Sequence, residues 1–431
     1  MRLRRILAVV ITTALILSGC TSLSLDESDI LSLPKASGSR AEIQKLIEKD
    51  AKGTFRLIYP TSGSYKNGII QHDVDNDGTE DAIALFTDDN DAPKMLVAAN
   101  VNNAYQLVGS IPLDSANIKE LRFADIDADA KDEVVICFDA GSSSAVIEAY
   151  SVEEEITKAK AAEGFHDYVI GDFDGNSSQD ILITEFSDNS AKARLMVYSD
   201  GSYHEESSCD VDPNVSSFIN LRYDTICEDI FGAVADGKLK SGEYSTQLLY
   251  YDTAAHLLVN PLYMNESYRE SMRTNAVAST DIDSDGVIEV PLCFAMTAAK
   301  DEDADTVCSI VRWSGYVPEL MSLSTKEEAI LCDRLGFSLQ LDLETLNGVT
   351  ARYTDENTVV LYKLSFSKSN EPVIGKEQLR IKRYIKSADD EIPQTESKLC
   401  DSSSAVYTCI IRQNAPFDLE TVKNGFNLLE A

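Results

Sequence analysis

Four acidic stretches constrain this chain more than anything else in it. The first, His72-Asp73-Val74-Asp75-Asn76-Asp77-Gly78-Thr79-Glu80-Asp81, runs straight into the apolar segment Ala82-Ile83-Ala84-Leu85-Phe86. Three more begin at Asp125, Asp172 and Asp281, and each again leads into an apolar run. All four place oxygen side chains at relative positions one, three, five and nine. Short carboxylates at alternate positions of a tight turn converge on one point, as a hard cation requires; calcium takes about six to eight oxygens in a loose geometry.

The first loop offers Asp73, Asp75, Asp77 and Asp81, with Gly78 for the sharp turn. The second offers Asp125, Asp127, Asp129 and Glu133, with Ala130 where glycine is easier. The third offers Asp172, Asp174, Asn176 and Asp180, its Gly175 out of step with the others. The fourth offers Asp281, Asp283, Asp285 and Glu289, with Gly286 in place. At position seven, Thr79, Lys131, Ser178 and Val287 would each supply a backbone carbonyl. An EF-hand is excluded, because it needs a glutamate at position twelve and flanking helices. Position twelve here is Ala84, Ile136, Ile183 or Leu292, each inside a strand-like run. Without metal, the same residues would form hydrogen-bonded Asx turns.

Spacing turns the loops into an architecture. The first three begin about 50 residues apart, and the fourth about twice that distance further on, so one unit between them lacks a loop. Asp224-Thr225-Ile226-Cys227-Glu228-Asp229-Ile230-Phe231 stands where it should be, its acids misplaced for a cation. A period near 50 residues holding about four short strands is that of a propeller blade. The expected fold is mainly β: a β-propeller of about five or more blades over residues 41–325, followed by a small α+β domain over 326–431. Ala41 to Asp50 has helical spacing and is expected to cap the propeller. Residues 153–162 and 326–331 are the other weakly helical stretches, and a final helix is expected over 418–429.

The N-terminus has a different character. Arg2, Arg4 and Arg5 precede an apolar run from Ile6 to Leu17, too short for the ~20 residues of a spanning helix. Leu17-Ser18-Gly19-Cys20 follows. This resembles a bacterial lipobox, which implies that residues 1–20 are a lipoprotein signal, that Cys20 carries lipid, and that residues 21–40 form a tether. The protein would then be anchored to a membrane face rather than spanning it. The other cysteines lack a CxxC pair or a histidine at ligand spacing, so a zinc site is not expected. Mostly buried free thiols are favoured, with Cys400–Cys409 and Cys209–Cys227 the pairs worth checking for disulfides.

Charge narrows the partners. With 38 Lys and Arg against 72 Asp and Glu, the net charge is −34, which argues against nucleic acid and suits a holder of divalent cations. No GxSxG, HExxH, GxGxxG or P-loop occurs. His72 is expected to pair with a carboxylate, and Trp313, the sole tryptophan, to pack in a blade.

The loops resemble FG-GAP or VCBS repeats, the calcium-binding blade motifs of integrin-type β-propellers. Together with the lipobox, the cap helix and Tyr59-Pro60-Thr61-Ser62-Gly63-Ser64-Tyr65, they resemble secreted FG-GAP/VCBS-repeat lipoproteins of Gram-positive anaerobes. The resemblance covers roughly 40–325 and departs from the pattern at the unit near Asp224. It implies Ca2+ at the loops and a non-catalytic extracellular module that binds a protein or glycan at the cell membrane. A calcium-dependent polysaccharide-active enzyme, lyase or hydrolase, on the same scaffold is the alternative, although no residue is assignable as catalytic.

Overall fold

The computed structural model describes residues 38–141, 144–298, 306–387 and 391–429. The lipobox, Cys20 and most of the expected tether lie outside them. Among the described residues no helix is long and apolar enough to cross a membrane.

Helix α1, Ser39–Ala51, is the expected cap helix. Ile43 and Ile47, one turn apart, are fully buried against Ala82, Ala84, Phe86, Leu96 and Ala98. The helix ends where Lys52 turns left-handed at φ 56°.

Six antiparallel sheets follow, built largely from sequence-adjacent strands. The first contains Arg56–Leu57, Ile69–His72, Asp81–Thr87, Pro93–Val101 and Ala104–Pro112. The second contains Ile118–Ala124, Glu133–Gly141, Ser144–Val152 and Ile156–Phe165; the third contains Asp167–Gly171, Asp180–Phe186, Ala191–Ser199 and Ser202–Val211. The fourth contains Val215–Cys227, Ile230–Leu239, Tyr244–Asp252 and Leu257–Val259. The fifth contains Val290–Ala295, Ser309–Val317, Ser322–Cys332 and Phe337–Gln340, and adds Phe426–Leu428 from the chain's end. The sixth contains Val349–Asp355, Thr358–Phe366, Pro372–Ile385, Ser397–Asp401 and Ala405–Ile411.

Neighbouring sheets share apolar cores. Ile83, Leu85 and Val97 meet Leu121, Val134 and Ile136 between the first and second sheets. Val135 and Ile147 meet Ile181 and Ile183 between the second and third. Leu182 and Leu195 meet Ala233 and Leu249, and Val234 and Leu248 meet Val290 and Leu292. Such a strand is covered on both faces, so it reads as an unbroken apolar run rather than an alternation. In Asp81–Thr87, Ile83 and Leu85 face the second sheet while Ala82, Ala84 and Phe86 face α1. This is a mainly β, propeller-type array of four- and five-stranded antiparallel sheets, followed by a small C-terminal α+β unit. The sixth sheet of that unit is flanked by helices α2, Leu343–Asn347, and α3, Leu419–Asn424.

Four local expectations change. Residues 153–162 form a turn and the strand Ile156–Phe165, whose Lys158 crosses to Glu148 at 3.1 Å. Residues 326–331 lie inside the strand Ser322–Cys332, because Ala329, Ile330, Leu331 and Cys332 are all fully buried between two cores. That strand crosses the expected boundary at 325/326, so the fifth sheet extends to Gln340. The final helix stops at Asn424, and Phe426 continues as a strand stacked on Phe337 at 4.7 Å. All eight cysteines among the described residues are free. Cys409 faces Ser397 rather than Cys400 in the ladder, so the first candidate disulfide does not form. Cys209 and Cys227 lie in strands of different sheets.

Candidate metal centres

Each acidic loop joins a strand to the next at the same place in its blade. Loops one to three connect the strands ending at His72, Ala124 and Gly171 to those beginning at Asp81, Glu133 and Asp180. Before loop four, the preceding strand is reduced to the bridge between Thr280 and Glu289.

The four loops share one wiring. The position-two amide donates to the position-nine carboxylate: Val74 to Asp81 at 3.3 Å, Ile126 to Glu133 at 2.8 Å, Phe173 to Asp180 at 3.0 Å and Ile282 to Glu289 at 3.1 Å. The position-six amide donates to the first aspartate, from Gly78 at 2.8 Å, Ala130 at 3.0 Å, Ser177 at 3.0 Å and Gly286 at 2.9 Å. The position-seven amide donates to the side chain at position five, holding Asp77, Asp129, Asn176 and Asp285. Positions four and six are left-handed throughout: Asn76 and Gly78, Ala128 and Ala130, Gly175 and Ser177, Ser284 and Gly286. Sequence reading identified only position six as needing glycine. Gly175 answers the same demand at position four.

These bonds gather carboxylates. Asp73, Asp75 and Asp81 each bring an oxygen within 4.8 Å of the others, as do Asp125, Asp127 and Glu133, and Asp172, Asp174 and Asp180. In the fourth loop the group is Asp281, Asp283 and Asp285, without Glu289. Asp77 and Asp129 stand outside their groups. Carboxylate groups that could hold a metal ion are therefore gathered in four places.

Burial raises carboxylates in all four loops, Glu289 of the fourth included. Burial pushes Glu133 up to about 7. Burial, then repulsion from Asp174, pushes Asp180 up to about 7. Burial also raises Asp81, Asp127 and Asp174. Asp180 is completely buried, and its Oδ1 takes no hydrogen bond among the described residues; neither does the buried Asp125 Oδ1. An orphaned buried carboxylate oxygen is costly, and hard oxygen donors fit a hard divalent ion.

The loops are also tied to one another. The position-eight amide Asp132 donates to Val74 O at 3.3 Å, Gln179 to Asp125 O at 2.8 Å, and Ile288 to Thr225 O at 3.0 Å. Thr225 belongs to the unit without a loop, so the staple survives where the acids do not. In that unit the strands Val215–Cys227 and Ile230–Leu239 are joined by the tight turn Glu228-Asp229, which leaves no ring of carboxylates. His72 pairs with Asp132 of the second loop at 2.6 Å and stacks on Phe123 at 3.8 Å, a structural histidine as expected. Trp313 is fully buried beside Val311 and Leu331. A cleft of about 480 Å³ touches the first loop, lined by Asp75, Asp81, Val108, Lys131 and Glu153.

Lys326 had no signal near its loop in the sequence. Its ammonium lies 2.8 Å from Asp285 Oδ2 and 2.7 Å from Glu289 Oε1. The hydrogen bond from Lys326 holds Asp285 below the usual carboxylate range.

No protein-family model matches the chain, and no curated protein does. Among solved structures, it is similar to a chain of the crystal structure of BBS1N in complex with ARL6DN, soaked with lead. The two are 10% identical, the match covers 84% of this chain and 97% of that one, and the TM-score is 0.30. Similarity at that level adds nothing to the fold read from the sheets themselves.

Proposed function

We propose that this protein is a calcium-stabilised propeller-type binding module of the FG-GAP/VCBS kind, held by lipid on Cys20 at the extracytoplasmic face of a cell membrane. The observation that carries the calcium reading is the common wiring of four loops far apart in sequence, each with a position-nine carboxylate that burial raises: Asp81, Glu133, Asp180 and Glu289. Calcium suits such loops better than magnesium, because it accepts mixed carboxylate, carbonyl and water ligands in irregular geometry, whereas magnesium demands a near-ideal octahedron. Bound ions would neutralise the convergent acids and fix where each blade's second strand begins.

The role is non-catalytic: the blades present a face to a protein or glycan partner. In support, the loop carboxylates are committed to backbone amides.

The test is thermal unfolding with calcium, with magnesium and with chelator, alongside calorimetric titration. Calcium is expected to raise the melting temperature and chelator to lower it; no shift and no heat of binding would overturn the reading. Pull-down of envelope proteins and a glycan array test the binding role, and a Cys20→Ala variant released from the membrane fraction tests the anchor.

A further inference from the structure

In three blades an irregularity stands at one register, immediately past the position-nine carboxylate. In the first sheet the ladder skips Val108 between Gly109 and Leu107; in the third it skips Glu206 between Ser207 and Glu205; in the fifth it skips Lys326 between Glu327 and Thr325. A bulge adds one residue to a strand and re-aims its side chain. Here the re-aimed residue is turned to the loop of its own blade. Val108 lines the cleft at the first loop with Asp75 and Asp81. Glu206 accepts from Tyr251 Oη at 2.8 Å, and Tyr251 lines a cleft with Asp172 and Asp174 of the third loop. Lys326 reaches Asp285 and Glu289. The second blade has no bulge there, since Ala149 pairs with Ala159 and Tyr150 with Lys158 in regular order.

We infer that Lys326 makes the fourth loop a metal-free clamp: its ammonium takes the place of a divalent ion. Three observations converge on the fourth loop. The bulge aims the side chain. Gly315 leaves room for the stem, for a Cβ there would stand 3.1 Å from Lys326 Cε. The ammonium then contacts carboxylates at positions five and nine together. Glu289, fully buried, is thereby turned to Lys326 and does not join the carboxylate group that its counterparts join in loops one to three. Among the described residues no lysine or arginine pairs with Asp81, Glu133 or Asp180. Glycine placement alone would rank the fourth loop with the first as a metal site, and Lys326 reverses that rank.

This inference rests on the reading of the loops as calcium sites. Its test is the number of calcium ions bound per chain, by equilibrium dialysis of the whole protein. Lys326→Met is expected to bind one ion more than the unaltered protein, and Asp281→Asn the same number as the unaltered protein. Equal counts for Lys326→Met and the unaltered protein, or a lost ion in Asp281→Asn, would overturn the inference while leaving the other loops as metal sites. No calcium bound by any form would instead overturn the calcium reading and the inference with it. Circular dichroism of each variant confirms the fold, and Lys326→Gln provides a second ammonium-free form expected to gain the same ion.

Discussion

Arg273 and Asp236 meet at 2.9 Å with both side chains wholly buried. Asp236 also accepts from Thr246 Oγ1 at 2.6 Å, Ser279 N at 2.8 Å, Ser279 Oγ at 2.9 Å and Asn220 Nδ2 at 3.1 Å. Arg273 donates further to Ser271 O at 2.9 Å and to Val277 O from Nη2 at 2.7 Å. The pair ties the segment before the fourth acidic loop to the fourth sheet, the one blade whose own loop is missing. Truncating the arginine would leave a buried carboxylate without its counter-charge, at a cost of about 3–5 kcal/mol. Arg273→Ala is therefore expected to lower the urea midpoint sharply. A doubly apolar Arg273→Met/Asp236→Leu form is expected to recover part of that loss.

The second loop stores backbone strain at alanines. Ala128 and Ala130 sit at φ 61° and 66°, where an L side chain costs about 1–2 kcal/mol. Both are exposed, so their methyl groups add no packing. Ala130→Gly relieves the strain and gains back less than it releases, because glycine also frees the unfolded chain. A net stabilisation of about 0.5–1 kcal/mol is expected in chelator, read from denaturant unfolding. The reverse change, Gly78→Ala, is expected to destabilise by a similar amount.

Glu377 governs an acid-sensitive contact on the sixth sheet. A hydrogen bond from Arg380, together with Arg412, holds its carboxyl below the usual range. A depressed carboxyl contributes stability above its unfolded pKa, near 4.5, and that stability is lost as pH falls through the folded value. Both arginines are part-exposed, so screening limits the contribution to about 1 kcal/mol or less. Glu377→Gln is expected to be less stable than the unaltered protein at pH 7 and equal to it in strong acid. A constant difference across that range would refute the assignment.

Gly425 is the hinge that returns the chain's end to the fifth sheet. A Cβ there would stand 2.1 Å from Gln340 O, while Gln340 N donates to Gly425 O at 2.8 Å. Gly425→Ala forces the two backbones apart, an overpacking cost of about 1–3 kcal/mol. Faster amide exchange at Ser338 and Gln340, and earlier proteolysis after Asn424, are the expected readouts.

Legibility followed the range of the interactions. His72–Asp81 announces its loop because the bonds that shape it run between residues within nine positions of one another. The unit near Asp224 was equally readable as lacking its acids. Residues 326–331 misled because Glu327, Glu328, Ala329 and Ile330 carry a weak helical pattern, while what decides their state is burial between two distant cores. Phe426 carries no local strand signal for the same reason: its partner is Phe337, far away in the chain.

From sequence alone come the mainly β architecture, the blade period, the cap helix and the place of the four acidic loops, since these depend on short-range chemistry and on the pattern of apolar runs; Asp77, Asp129 and Glu289, expected as ligands, stand outside the carboxylate groups. Tertiary structure alone decided which loop carboxylates lack a counter-charge. That outcome depends on cross-strand register: a bulge opposite Trp313 and Ser314 delivers Lys326 to Asp285 and Glu289 from the far side of the blade. Register is set by the summed packing of whole strands, so no local pattern records it.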